Sequence, residues 1–158
     1  MTWFGGHWGE VLVAAASAAL VAALGGVATR IGPWYRALRK PSWQPPDWLF
    51  GPAWTLIFAC AAASGVLAWQ RPGHRLLVIA LFAINGAFNV LWSVLFFTLR
   101  RPPWALLELV VLWLSILAMV LAFRGFAPAA SLLLLPYLVW VTFAAVLNLT
   151  IVRLNRAG

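Results

Sequence analysis

The side chains with the most chemistry to offer are indoles, and they crowd into one stretch. From Gly32 to Trp54 the sequence GPWYRALRKPSWQPPDWLFGPAW sets Trp34, Tyr35, Trp43, Trp48, Phe50 and Trp54 among five prolines, with Arg36, Arg39 and Lys40 interleaved. Prolines fix φ and remove backbone donors, so most of this stretch is predicted to be a stiff, partly extended connection. Aromatic rings are costly to leave in water. The stretch is therefore predicted to fold back as a lid over whatever the neighbouring helices enclose. The sequence holds no nucleophile and base pair, no zinc-ligand spacing and no nucleotide loop. Cys60 is the single cysteine, so neither an intrachain disulfide nor a cysteine metal cluster is possible, and no metal site is expected.

The elements that must position these rings follow from composition. With 65% hydrophobic residues, 9% charged residues and a mean hydropathy of +0.95, the chain has too little polar surface to cover a soluble globule. It reads as an all-α integral membrane protein, one domain over residues 1–158. The net charge of +8 would suit nucleic acid, but the basic residues sit singly or in pairs at the ends of apolar runs. The lipid bilayer is the expected partner, and nucleic acid is not.

Five apolar runs predict a bundle of five transmembrane helices over residues 10–29, 51–70, 76–99, 103–123 and 128–152, with the lid loop at 30–50. No Lys or Arg precedes the first run, which is therefore expected to stay as a helix and not be cleaved as a signal peptide. Pro52 is placed in the first turn of the second helix, where its missing N–H costs nothing. Ala14, Ala18, Ala22 and Gly26 recur every fourth position and form a face that lets another helix or a flat ligand approach closely, helix packing being the plainer use. Asn85, Asn89 and Trp92 share a face of the third helix, and amides in lipid are expensive, so that face should point inward. Glu108 lies near Arg100 and Arg101, either of which is expected to pair with it, while a role in ligand or proton handling stays open. Asn89 and Asn148 are expected to join helices or cap backbone groups. Pro136 should bend the last helix and free a carbonyl near mid-membrane.

Arginine and lysine counts orient the chain. The N-terminal tail and the second and fourth connections hold three positive residues, whereas the lid loop, third connection and C-terminal tail hold eight. The positive-inside rule places the lid and the C-terminus in the cytoplasm. Trp3, Trp8, Trp69 and Trp113 read as interfacial anchors.

The arrangement resembles a known family over essentially the whole chain. Trp34-Tyr35, Leu38, Lys40-Pro41, Trp43, Pro45-Pro46, Trp48 and Pro52-Ala53-Trp54 are similar to the first-loop signature of the translocator proteins, or tryptophan-rich sensory proteins (TspO/MBR). The likeness continues through Asn89, Trp92 and Phe96-Phe97, through Trp104-Ala105-Leu106-Leu107-Glu108, and through Pro136-Tyr137-Leu138-Val139-Trp140 to Leu147-Asn148. It implies a five-helix bundle, usually a homodimer, in a bacterial cell membrane. It further implies a cavity under the first loop that binds tetrapyrroles such as protoporphyrin IX and haem, with no obligatory cofactor. Animal members also bind cholesterol and benzodiazepine-type drugs.

The resemblance places Trp54 and Trp140 against the tetrapyrrole. Trp43, Trp48, Phe50, Asn89, Trp92, Trp104, Phe143, Ala144 and Leu147 are the expected remainder of the wall. Tyr35, Arg39 and Lys40 are candidates for the propionates, headgroup contact being the competing use of the two cations. Ala83 and Ala87 form a small-residue pair of the kind the family uses in dimers, and a neighbour in the same chain would explain them equally. His7 and His74 lie outside the predicted spans, so haem ligation by an intramembrane histidine is excluded. No tyrosine stands between Asn148 and Arg153, unlike the sterol motif of animal members, and this speaks against tight sterol binding. Asn85 stands where the family more often has glutamine.

Three readings follow. The first is a receptor or carrier that binds tetrapyrroles and influences their transport, removal or signalling. The second is an enzyme-like protein that degrades porphyrin in light and oxygen through Trp54 and Trp140. The third is a regulator acting through a partner protein. With only Glu10, Asp47 and Glu108 acidic, no proton relay is legible, so passive movement is the economical form of the carrier reading.

Overall fold

The computed structural model describes residues 6–156. Helices α1 (Trp8–Ala28), α2 (Pro33–Ala37), α3 (Asp47–Trp69), α4 (Arg75–Ser93), α5 (Pro102–Phe126), α6 (Pro128–Leu133) and α7 (Leu135–Asn155) follow in order, and a π-helical turn, Val94–Thr98, extends α4. Among the described residues there is no strand. Five spans are long and apolar enough to cross a membrane: α1, α3, α4 with its π turn, α5, and α6 with α7. Trp3 lies outside the described residues.

The spans close a ring in which α1 packs on α3 and α4, α4 on α5, α5 on α7, and α6 on α3. Three apolar layers fill it. Ala68, Val78, Met119, Phe123 and Leu134 form the layer farthest from the lid. Ile57, Leu109, Leu112, Ile116, Tyr137 and Val141 form the middle. Tyr35, Phe96, Ala105, Leu147 and Ile151 form the layer beneath the lid.

Proline chemistry moves several boundaries. The stretch predicted as extended contains the short helix α2, because Pro33 sits at its first position, where its fixed φ suits a helix and its missing N–H is no loss. The second span begins at Asp47, not Gly51, since Pro46 is extended and the Asp47 carboxylate favours a helix start. Pro52 is consequently inside α3, beyond its first turn. The Trp48 carbonyl thereby loses its helical partner. The last span breaks at Leu134, between α6 and α7, close to its start and not near its middle. Pro136 cannot bond back to residue 132, so the interruption falls ahead of the proline itself. Buried Ser64 donates through Oγ to the Ala130 carbonyl at 2.8 Å, and Ser131 donates to Val120 at 2.7 Å, tying the broken segment to α3 and α5.

The small-residue face of α1 also differs from its expected register. Gly25 and Ala28 are buried and Ala14, Ala18 and Val21 half-buried, while Ala22 and Gly26 are exposed. A strict every-fourth row advances about 40° per step around a helix of 3.6 residues per turn, so the inward stripe must alternate steps of four and three. It comes close to Gly86 of α4, where an added Cβ would meet Val21 Cγ2 at 3.0 Å.

Candidate ligand-binding site

The lid is fastened at several points. Asn155, at the end of α7, accepts from the Arg39 N–H at 3.0 Å and donates through Nδ2 to the Arg39 carbonyl at 2.9 Å. Tyr35 donates to Asp47 at 3.2 Å, and Gln44 Nε2 donates to the Tyr35 oxygen at 3.3 Å. Lys40 Nζ lies 3.7 Å from the centre of the Tyr35 ring, a cation–π contact. Burial, reinforced by the Asp47 carboxylate, pushes the Tyr35 phenol up to about 12. Beneath, Trp34 meets Phe96 at 6.0 Å and Tyr35 meets Phe97 at 5.4 Å. Those two phenylalanines belong to the π turn, whose Leu99 N–H bonds five residues back to Val94 at 2.8 Å. Such turns recur at functional sites, and this one ends in Arg100 with a left-handed φ of 54°.

The structure brings part of the expected wall together. Trp140 is the hub, with ring centres 5.6 Å from Phe50, 6.3 Å from Trp54 and 5.4 Å from Phe143. Trp43 of the lid covers Phe143 at 6.0 Å. Trp54 also stacks on Phe58 at 5.4 Å and abuts Tyr137 at 6.0 Å. Ala144 packs beside the middle layer and Leu147 is buried beneath the lid. Two expected members stand apart: Trp48 is 71% and Trp104 60% exposed. Phe58 and Tyr137 were not anticipated as wall residues, although Phe58 follows Trp54 by four positions and Tyr137 precedes Trp140 by three, the spacings that share a helix face.

The interior holds polar groups in the positions α4 was expected to provide. Asn89 Nδ2 donates to the Tyr137 hydroxyl at 2.8 Å, joining α4 to α7. Asn85 Nδ2 donates to Ser115 at 2.9 Å, and Ser115 donates to the Leu112 carbonyl at 2.7 Å, joining α4 to α5. Asn148, with its amide nitrogen turned to the Pro102 carbonyl and its oxygen to the Leu106 N–H, each at 3.2 Å, ties α7 to the start of α5. Trp92 packs on Phe96 and Phe97, yet its buried indole N–H has no acceptor. Glu108 departs from expectation. It is buried, neither carboxylate oxygen has a partner, and Arg100 and Arg101 are exposed beyond the helix start. Glu108 lies about two turns into α5, too deep for the arginines that precede it. Among the described residues no three potential metal ligands come together.

Space is found beside the wall, not directly under the lid. Trp43 of the lid and Phe50 at the start of α3 pack against Phe143 and Trp140, whereas a half-open cavity of about 880 Å³ lies between α1, α3 and α4. Phe58, Asn85 and Tyr137 line it, so the Phe58–Trp54–Tyr137 contacts connect cavity and aromatic wall. Ala83 and Ala87, exposed on α4, form part of its rim.

Five apolar spans around an aromatic interior, roofed by a proline-rich connection, define a helical membrane protein. Residues 12–154 match the TspO/MBR family, and the chain belongs to it. It is 45% identical over 126 residues to the tryptophan-rich protein TspO of Chlorobaculum tepidum, covering 77% of this chain and 79% of that one. To the tryptophan-rich sensory protein of Cereibacter sphaeroides it is 38% identical over 122 residues, 77% of each chain. To the translocator protein of Homo sapiens it is 33% identical over 127 residues, covering 78% and 75% respectively.

Proposed function

We propose that this chain is a membrane receptor or carrier for tetrapyrroles, protoporphyrin IX or haem, held in the interior beside and beneath the first loop. One observation carries the reading: a cavity of about 880 Å³ is lined by Phe58 and Tyr137, and both rings contact Trp54, which in turn meets Trp140. That volume falls within the roughly 300–1,000 Å³ of small-molecule sites, and flat π faces suit a flat macrocycle. Phe50 and Trp43 pack in T-shaped contacts against Trp140 and Phe143. A macrocycle reaching those rings displaces Trp43 of the lid as well as Phe50 at the start of α3, so binding lifts the lid. Arg39, exposed on the lid and in no ion pair among the described residues, is the cation freest to meet a propionate, since Lys40 is held over Tyr35. The bilayer is a bacterial cell membrane with lid and C-terminus cytoplasmic, and a homodimer through Ala83 and Ala87 is compatible with their exposure on α4.

Titration of the purified protein with protoporphyrin IX in the dark tests the reading. Saturable quenching of tryptophan fluorescence, weakened in Trp140→Ala, is the expected result. Absence of saturable quenching overturns it.

The proximity of oxidisable rings favours a second reading, light- and oxygen-dependent porphyrin degradation. Trp54 lies 6.3 Å from Trp140 and 6.0 Å from Tyr137, a contiguous set of electron donors beside a bound photosensitiser. Under illumination, loss of the porphyrin bands beyond one equivalent per protein would establish turnover. Trp54→Phe and Trp140→Phe should then bind and fail to convert; conversion at the original rate removes the indoles from the chemistry.

A further inference from the structure

The end of the bundle opposite the lid contains a second cavity, of about 320 Å³, lined by Leu67, Gln70, Arg71, Ala127, Ala129 and Ala130. Its side-chain polar groups are nearly all donors. The Gln70 amide nitrogen is buried and has no acceptor, and Arg71 is exposed with no carboxylate in ion-pairing range among the described residues. A buried N–H without an acceptor carries its full desolvation penalty, so the pocket is incomplete as it stands.

The surroundings favour an anion. Arg75 and Arg124 belong to the same end of the bundle, and Arg75 is fixed there, its Nε donating to the Trp69 carbonyl at 3.4 Å and its guanidinium 5.0 Å from the Trp69 ring centre. His74 lies flat on Phe126, with ring centres 4.0 Å apart, and packs the two connections together. Glu10, the acidic residue at this end, is engaged by His7 at 3.0 Å. Ala127, Ala129 and Ala130 leave room for a compact group and offer no side-chain acceptor to compete with it. Gln70 caps the C-terminal end of the 23-residue helix α3, which sets the pocket at the depth of lipid headgroups.

We infer that this pocket binds a phosphate group, whose oxygens accept from the Arg71 guanidinium and the Gln70 amide. A phospholipid headgroup and inorganic phosphate share that chemistry. The fork of an arginine suits a tetrahedral oxyanion, and the buried amide gains the acceptor it lacks.

Thermal unfolding of the full chain in neutral detergent tests the site. Three additions are compared: dioctanoyl phosphatidylglycerol, dioctanoylglycerol without the phosphate, and inorganic phosphate against chloride at equal ionic strength. The phosphate-bearing lipid should raise the midpoint where the phosphate-free lipid does not. A rise with inorganic phosphate as well assigns a soluble anion; a rise with the lipid alone assigns a headgroup. Gln70→Leu removes an unsatisfied amide at similar volume, so without additive it should melt no lower than the parent chain, and its phosphate-dependent rise should vanish. Arg71→Gln should lose the rise too. No rise in the parent chain with either phosphate source, or a rise that survives in either variant, overturns the inference.

Discussion

Asn155 holds the lid down with a single side chain. Replacing it with Leu removes both bonds to the Arg39 backbone, a loss of about 1–2 kcal/mol. Limited trypsin digestion should then cleave after Arg39 roughly 5- to 30-fold faster. Unchanged cleavage would mean that the aromatic contacts alone retain the lid. Tyr35 gives the lid a pH limit. Its folded-state value, about 12, lies above the unfolded value of about 10, so the stability it contributes is whole below pH 10 and is lost as pH rises through 12. Tyrosinate absorbance should show a transition near 12 that disappears in Tyr35→Phe. Glu108 poses the opposite problem, a buried group with two unpartnered oxygens. Had an arginine paired with it, Glu108→Gln would destabilise. As it stands the substitution relieves a desolvation penalty, so the melting temperature of the variant should equal or exceed that of the parent.

Helix α1 is set against α4 by a glycine. At Gly86 a methyl group would sit 3.0 Å from Val21 Cγ2, at the end of a side chain that has room to shift, so Gly86→Ala should change stability by less than about 1 kcal/mol. Gly86→Leu should destabilise by about 1–3 kcal/mol in a melting experiment, because the whole of α1 must then retreat. This contact also marks where sequence reasoning reached its limit. The five spans were legible because 20-residue apolar runs have one use in a chain this poor in charge, and the inward face of α4 was legible because Asn85 and Asn89 fall on it. The stripe on α1 was misread by applying an every-fourth rule to a helix with 3.6 residues per turn. The π turn carries no composition signal, since Val94–Thr98 would be equally at home in an α-helix. Of the expected wall, Trp54, Trp140 and Phe143 come together, while Trp48 and Trp104 stay exposed, because an aromatic side chain on the outside of a bundle looks the same in sequence as one inside. Asn155, between Arg153 and Arg156, reads as a solvated tail and gives no hint of the lid it fastens.

The molecule is asymmetric between its two ends. Contacts from Arg39 to Asn155 and from Thr98 to Ala28 gather the lid, the first turnaround and the C-terminus at one end, with eight of the eleven basic residues. A Ser42→Cys variant in a Cys60→Ala background should react with an impermeant maleimide in inside-out vesicles and be protected in right-side-out ones; the reverse pattern would invert the orientation. Looseness is unequal too. In α1 only Gly25 and Ala28 are buried, and Val13 and Leu20, which line the cavity, are 68% and 60% exposed on a helix apolar enough to lie in lipid. The cavity therefore has a side door that opens on hydrocarbon, away from the lid. A molecule soluble in the bilayer meets that door without ever leaving the lipid. Under the carrier reading, occupancy would follow the number of guest molecules per lipid, so that enlarging the membrane at constant dose would lower it.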